Sequence, residues 1–281
     1  MLNNVKTAFL LGLMTALLIL IGGALGGRGG MLFAFGLAAI MNFVSFWASD
    51  KIVLKLYKAQ PITPQDDPEL HSLIDGLVAR AGIPKPTVWR IPSPALNAFA
   101  TGRNPAHAAI AVTDGIRRSL SREELQGVLA HELSHVRNRD TMISAVAATI
   151  AGAVMMIANM ARFAAIFGGG GRDDDRGSNP LGLLLTSLIA PLAAVLIQMA
   201  VSRSREFQAD ASGAEMAGHP YGLAKALEKL ERASKSVPLD ASPATSHMFI
   251  VHPFLGGFGK LFSTHPPTQE RVQRLLGRPT A

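Results

Sequence analysis

Four stretches of the chain are apolar for about 20 residues each with almost no charge inside them: residues 7–27, 31–49, 143–167 and 180–201. A helix needs about 20 residues to cross a hydrocarbon core, so each stretch is a candidate membrane span. The first, TAFLLGLMTALLILIGGALGG after Lys6, also resembles a secretory signal with small residues at Ala24 and Gly26. Its apolar core is long for a signal, and a second apolar stretch follows within a few residues, so the two read as a retained hairpin turned by GGRGG.

The remaining segments alternate polar and apolar positions. In PELHSLIDGLVARAGIP, Leu70, Leu73, Ile74, Leu77 and Val78 share one helical face, acids precede it, and Gly82 with Pro84 stops it. TVWRIPSPALNAFATGRNPAHAAIAVTDG is cut by Pro and Gly and holds short runs such as AAIAVT, which predicts two or three strands in a small antiparallel sheet. Ser121 with Glu124 three residues later forms a capping box opening a helix that runs on toward the third apolar stretch. After the fourth stretch, SREFQADASGAEMAG reads as helix, and PYGLAKALEKLERAS puts Leu223, Leu227 and Leu230 on one face. Residues 236–262 predict a long loop, and residues 267–277 a short closing helix. GGGGRDDDRGSNP is low in complexity. The pattern predicts an α-helical membrane protein with an α+β polar domain, about four transmembrane helices and a small antiparallel sheet. Its parts are a membrane hairpin at 1–50, a first polar half at 51–142, a second hairpin at 143–201 and a second polar half at 202–281.

Composition agrees: 48% of the 281 residues are hydrophobic and 17% charged, against roughly 25% charged in soluble domains. The basic residues set an orientation. Lys6, Lys51, Lys55, Lys58, Arg137, Arg139, Arg203 and Arg205 fall on one side of the spans, and Arg28, Arg162, Arg172 and Arg176 at or near the other. Both termini are therefore expected in the cytoplasm. Much of the net charge of +7 lies beside the spans, where it meets lipid headgroups, and no basic patch is interleaved with aromatics, so nucleic acid is not the expected partner. With no cysteine in the chain, disulfides and thiolate metal sites are excluded.

The chemistry-bearing motif is HELSH, residues 131–135, inside the capped helix. Positions four apart lie one turn up the same face, so His131 and His135 can aim at one ion with Glu132 beside it. Two such histidines, a third ligand and a water make the pattern of a catalytic zinc site, with the glutamate as proton acceptor. Asn138 and Thr141 stand where a metzincin needs Gly and a third His. Candidates for the third ligand are Asp140, Glu206, Asp210, Glu215, His219 and the later histidines. Asp140, read as lying on the HELSH helix, cannot fold back onto the ion. Glu206 is better placed, where the fourth stretch ends on the same side as HELSH, and Asp210 one turn on can orient a ligating histidine.

HELSH, SREFQAD after the second hairpin, NAFATG upstream and STHPPTQERV near the end resemble, in that order, the HtpX group of membrane zinc endopeptidases, relatives of the Ste24 prenyl-protein proteases. The resemblance covers nearly the whole chain. It implies a zincin-like protease domain in the bacterial inner membrane, and one zinc ion on His131, His135 and Glu206. Glu132 is the implied general base and Asp210 the support behind a ligand. It also implies Asn97 along the substrate cleft and His265 on the oxyanion, and expected substrates are misfolded membrane proteins or unfolded polypeptides in a stress-response role. Two other readings stand beside it. A prenyl-protein protease of the Ste24 type would enclose its site with more spans, and a non-catalytic metal-binding membrane scaffold would have no use for an acid at Glu132.

Overall fold

A computed structural model of the chain describes residues 2–151, 203–234, 236, 245, 248–250 and 265–277. Of the span expected at 143–167 only residues 143–151 are described; its remainder, the span expected at 180–201, the turn between them and most of the 236–262 loop lie outside the described residues.

Helical residues Leu2–Leu56 (α1) reverse direction near Gly27, whose φ of +55° is a left-handed conformation that glycine adopts without strain. Asn42 Nδ2 donates to Thr15 Oγ1 at 2.9 Å across a sequence separation of 27, which in a straight helix would hold them about 40 Å apart. Met14 and Leu18 from the first limb meet Ala34 and Ala38 from the second, and Ile143, Val146 and Ile150 close the same cluster. The outward side chains are apolar and uncovered: Leu20, Leu32, Phe33, Ile40 and Phe43 are all exposed. Gly27–Leu56, 30 residues, is the one helix among the described residues long and apolar enough to cross a membrane.

The sheet differs from expectation. Gln60–Pro61 (β1), Thr87–Ile91 (β2), Ala98–Gly102 (β3) and Ala108–Thr113 (β4) order as β1-β2-β4-β3. β1 is antiparallel to β2 and β3 to β4, but β2 and β4 run parallel, with Val88 opposite Ile110, so the sheet is mixed. The reason is burial on both faces. Val88, Ala98, Ala100, Ile110 and Val112 pack toward the helices Pro68–Ala81 (α2) and Arg122–Arg137 (α4), while Ile91, Phe99, Ala109 and Ala111 pack toward α1 and Phe249. Every residue of β3 and β4 is buried. Such strands carry continuous apolar runs, so AAIAVT has no polar face that would mark an open antiparallel sheet.

α2 is capped by Asp67, which accepts from the Leu70 amide, and ends at Gly82 with φ +65°. A short helix, Asp114–Ser119 (α3), follows β4. The Ser121–Glu124 capping box at the head of α4 is formed in both directions. α4 does not run on into the next apolar stretch. It ends at Asn138, Arg139 takes φ +59°, and a new helix, Asp140–Ala151 (α5), starts there. The remaining described helices are Arg203–Ala217 (α6), Tyr221–Ser234 (α7) and Thr268–Leu275 (α8). α6 and α7 make the largest packing surfaces with α4.

Candidate metal centre

His131 and His135 sit one turn apart on α4, their ring planes nearly perpendicular, with Nε2 atoms 3.3 Å apart. α6 crosses beside them. Its Glu206, Asp210 and Gly213 lie at i, i+4 and i+7 on one face. A Cβ at Gly213 would meet the His131 backbone at 2.9 Å, so glycine there lets α6 approach α4 closely enough for the two carboxylates to reach the histidines. Glu206 Oε1 is 3.5 Å from His135 Nε2, and Glu206 Oε2 is 3.8 Å from His131 Nε2. His131, His135 and Glu206 each offer a ligand atom, all within 4.8 Å of one another.

Each ligand is held from behind. His131 Nδ1 is 2.9 Å from Asp210 Oδ1, off the line of an ideal hydrogen bond. Arg271, buried in α8, donates from Nε and Nη2 to Asp210 Oδ2 and Oδ1 at 2.9 and 2.7 Å, and from Nη1 to the Ile250 carbonyl at 3.0 Å. On the other side His135 Nδ1 is 3.1 Å from Asp140 Oδ2, and Arg205 Nη1 donates to Asp140 Oδ1 at 3.4 Å. His265, just ahead of α8, places Nδ1 2.7 Å from Glu206 Oε2. Two histidines are thus backed by two carboxylates, and each carboxylate by an arginine.

Glu132 turns away from the ligand atoms toward the sheet, where its Oε2 accepts from the Ala100 amide at 2.9 Å. β3 is an edge strand, and this amide points off its free edge. A cavity of about 30 Å³, room for a water-sized group, opens among His131, Glu132, His135, Glu206, His265 and Ala100. Asn97 is buried at the head of β3, outside this cavity lining, with Oδ1 accepting from the Ala98 amide at 3.1 Å.

The sequence profile of peptidase family M48 matches residues 64–279, a span holding all of these residues. The chain belongs to that family. It is similar to the protease HtpX homolog of Desulfatibacillum aliphaticivorans, 54% identical over 98% of this chain and 89% of that protein. A homolog of the same name from Syntrophobacter fumaroxidans is 53% identical over 97% and 98%, and one from Pyrococcus furiosus 51% over 96% and 94%. The crystal structure of S. mikatae Ste24p has a similar fold, with a TM-score of 0.53 at 20% identity, over 98% of this chain and 65% of that one. As a member of peptidase family M48, the chain is a metalloprotease.

The donor set of this metalloprotease fits a small divalent cation. A tetrahedral site with ligands about 2.1 Å from the ion has edges of about 3.4 Å; the two histidine Nε2 atoms are 3.3 Å apart, with Glu206 Oε1 3.5 Å from that of His135 and Glu206 Oε2 3.8 Å from that of His131. The charges point the same way: the four carboxylates Glu132, Asp140, Glu206 and Asp210 are met by two guanidiniums, Arg205 and Arg271. Burial opposes a charged ring at His135, yet Glu206, Asp140 and Glu132 push it up to about 9. At His131 burial prevails and lowers the ring to about 4. Burial raises the Glu132 carboxyl to about 8, with Glu206 adding to it. Glu206 is lowered despite its burial, because His265, His135 and His131 surround it.

Four participants are not marked in the sequence as parts of the metal centre: the Ala100 amide, Asp140, Arg205 and Arg271. Asp140 was placed on a continuous helix. The break at Arg139 instead swings it under His135, where it supports a ligand without being one. Arg271 lies within STHPPTQERV, but its partner Asp210 is 61 residues away and nothing local marks the pair. Since support of this kind typically contributes 10- to 100-fold in metal affinity, Asp140→Asn is expected to lower metal retention by about that factor while the fold persists. Competition with a graded series of chelators measures it, and wild-type retention would remove Asp140 from the site.

Proposed function

We propose that the chain is an integral membrane zinc endopeptidase that cuts misfolded or damaged membrane proteins at the cytoplasmic face, in quality control under stress. The observation that carries this reading is Glu132: a buried acid beside, but not within, a three-ligand site, fastened to the free edge of β3. A purely structural site has no need of it.

Two imidazoles and a carboxylate within reach of one ion suit zinc, one ion per chain. Bound there, zinc supplies a Lewis acid that polarises the scissile carbonyl and makes water acidic near neutral pH. The chain's own groups do the rest. Glu132 takes the proton of the attacking water and returns it to the departing amine. His265, anchored on Glu206, donates to the oxyanion as charge develops on it. Extended substrate lies along β3 by strand addition, with Asn97 at its head. The outward amides of Ala98 and Ala100 already serve Asn97 and Glu132, so the outward carbonyls receive the substrate's N–H groups. Recognition through backbone asks little of substrate sequence, which suits damaged proteins.

The uncovered apolar side chains of α1 and the distribution of basic residues support a multi-pass protein of about four spans in a bacterial inner membrane, with both termini and the protease domain cytoplasmic. The purified chain in bilayers is expected to cleave an unfolded membrane polypeptide, to stop on chelation and to resume with zinc. Persistence of cleavage in metal-free chain would refute the mechanism. In this cysteine-free chain, Ser178→Cys is expected to react with an impermeant thiol reagent in intact cells and Ser234→Cys only after lysis. The reverse pattern would invert the topology.

A further inference from the structure

On the opposite side of the sheet from the metal site, the end of α1 and residues of β2 and β4 enclose a groove of about 830 Å³. Lys51, Lys55 and Lys58 line one wall together with Leu54. Lys51 and Lys55, four residues apart, share one helical face, and Lys58 follows in the turn beyond Leu56, with φ +51°. Thr87, Trp89 and His107 form the other wall. Resting on the membrane reading given above, we propose that this groove holds the phosphate-bearing headgroup of an anionic phospholipid from the adjoining leaflet.

Charge is the first argument. Among the described residues, neither an ion pair nor a hydrogen bond engages the side chains of Lys51, Lys55 and Lys58, while Lys85, at the rim, is held by Asp75 at 2.7 Å and Lys229 by Glu124 at 2.8 Å. Asp50 is the one acid in the lining and leaves the groove positive. Three converging cations repel one another until an anion enters. The size of the groove is that of a small-molecule site, which suits one headgroup.

Depth is the second. Trp47 is 49% exposed, and the Arg103 guanidinium lies 4.6 Å over its ring. Tryptophan beside a cation marks the headgroup level of a span. Lys51 is one turn further, about 6 Å along the helix, within a headgroup layer about 5–7 Å thick on each side. Side chains on a helix lean toward its N-terminus, which on this limb is toward the bilayer, so Lys55 also reaches back to the phosphate level, and Lys58 lines the groove from the turn beyond Leu56. Leu54 and the Trp89 ring give an apolar floor for the glycerol backbone.

The test uses full-length protein purified in detergent and titrated, under native mass spectrometry, with phosphatidylglycerol and phosphatidylcholine of equal chain length. One phosphatidylglycerol is expected to bind per chain about tenfold more tightly than phosphatidylcholine. The triple variant Lys51→Gln, Lys55→Gln, Lys58→Gln is expected to lose that preference, and the double variant Lys225→Gln, Arg232→Gln, altered on α7, to keep it. In wild type, phosphatidylglycerol and not phosphatidylcholine is expected to protect the three lysines from acetylation, a readout that needs no variant to fold. Equal affinity for the two lipids, a preference that survives in the triple variant, or no protection of the lysines would overturn the inference. So would displacement by inorganic phosphate at the same concentration, which would assign a free anion, or tighter binding of an acidic peptide. Alkaline carbonate extraction of membranes separates the two readings. Release of the chain would refute the membrane reading, whereas retention with a failed titration refutes the headgroup site alone.

Discussion

Glu132→Gln is expected to keep its metal and to lose about 10² to 10⁴-fold in peptide hydrolysis, the usual cost of removing a general base. The glutamine retains an oxygen for the Ala100 amide, the contact that holds the acid at 2.9 Å in the structure. It cannot accept the water's proton. Because neither carboxylate oxygen of Glu132 belongs to the ligand set of His131, His135 and Glu206, metal content after dialysis should match wild type. The two measurements together separate a catalytic site from a scaffold that merely binds metal. Wild-type turnover in the variant would end the general-base assignment, and loss of metal would make Glu132 part of the binding site. Burial lifts this carboxyl to about 8, so its ionisation at neutral pH depends on positive charge nearby, which a divalent cation held by His131, His135 and Glu206 would provide. The same burial makes the acid unfavourable to keep without a function.

What could be read from the sequence was local. The face of α2, the Ser121–Glu124 box and the four-residue spacing of His131 and His135 are repeats within one helix, and they stand in the structure where their spacing puts them. Glu206 stood out because the fourth apolar stretch ends there on the HELSH side, with Asp210 one turn on, and the resemblance assigned the two their roles. What could not be read depends on partners distant in sequence. The parallel pairing of β2 with β4 skips over β3, and burial on both faces removes the alternation that would betray which side is open. The break at Arg139 carries no Gly or Pro, so the composition of VRNRD reads as continuing helix. Asp140 therefore passed for a residue facing away from the site. Arg271 has the sequence character of a surface residue on an amphipathic helix, and only the fold shows that it is buried.

That burial gives the second large effect. Arg271→Leu is expected to destabilise the chain by about 3–5 kcal/mol, because it leaves the Asp210 carboxylate in the interior without its bidentate partner. Native chains are stable by about 5–15 kcal/mol, so the loss is a large fraction of the total. Arg271 is 1% exposed and holds three acceptors: both Asp210 oxygens and the Ile250 carbonyl. It is therefore the joint between α8, α6 and the segment at 248–250, and through Asp210 it reaches His131. Removing Asp210's charge as well, in Asp210→Asn with Arg271→Leu, should recover part of the stability, since the uncompensated carboxylate is the main cost. It should not recover metal retention, because His131 would still lack a carboxylate behind Nδ1. Arg122→Leu is the control: its pair with Glu69 is exposed on both sides, so solvent screens it and stability should hardly change. Denaturation in detergent with parallel metal analysis reads all of these. If Arg271→Leu melts with wild type and keeps its metal, the buried arginine is no joint, and the ligand shell is held by the helices alone.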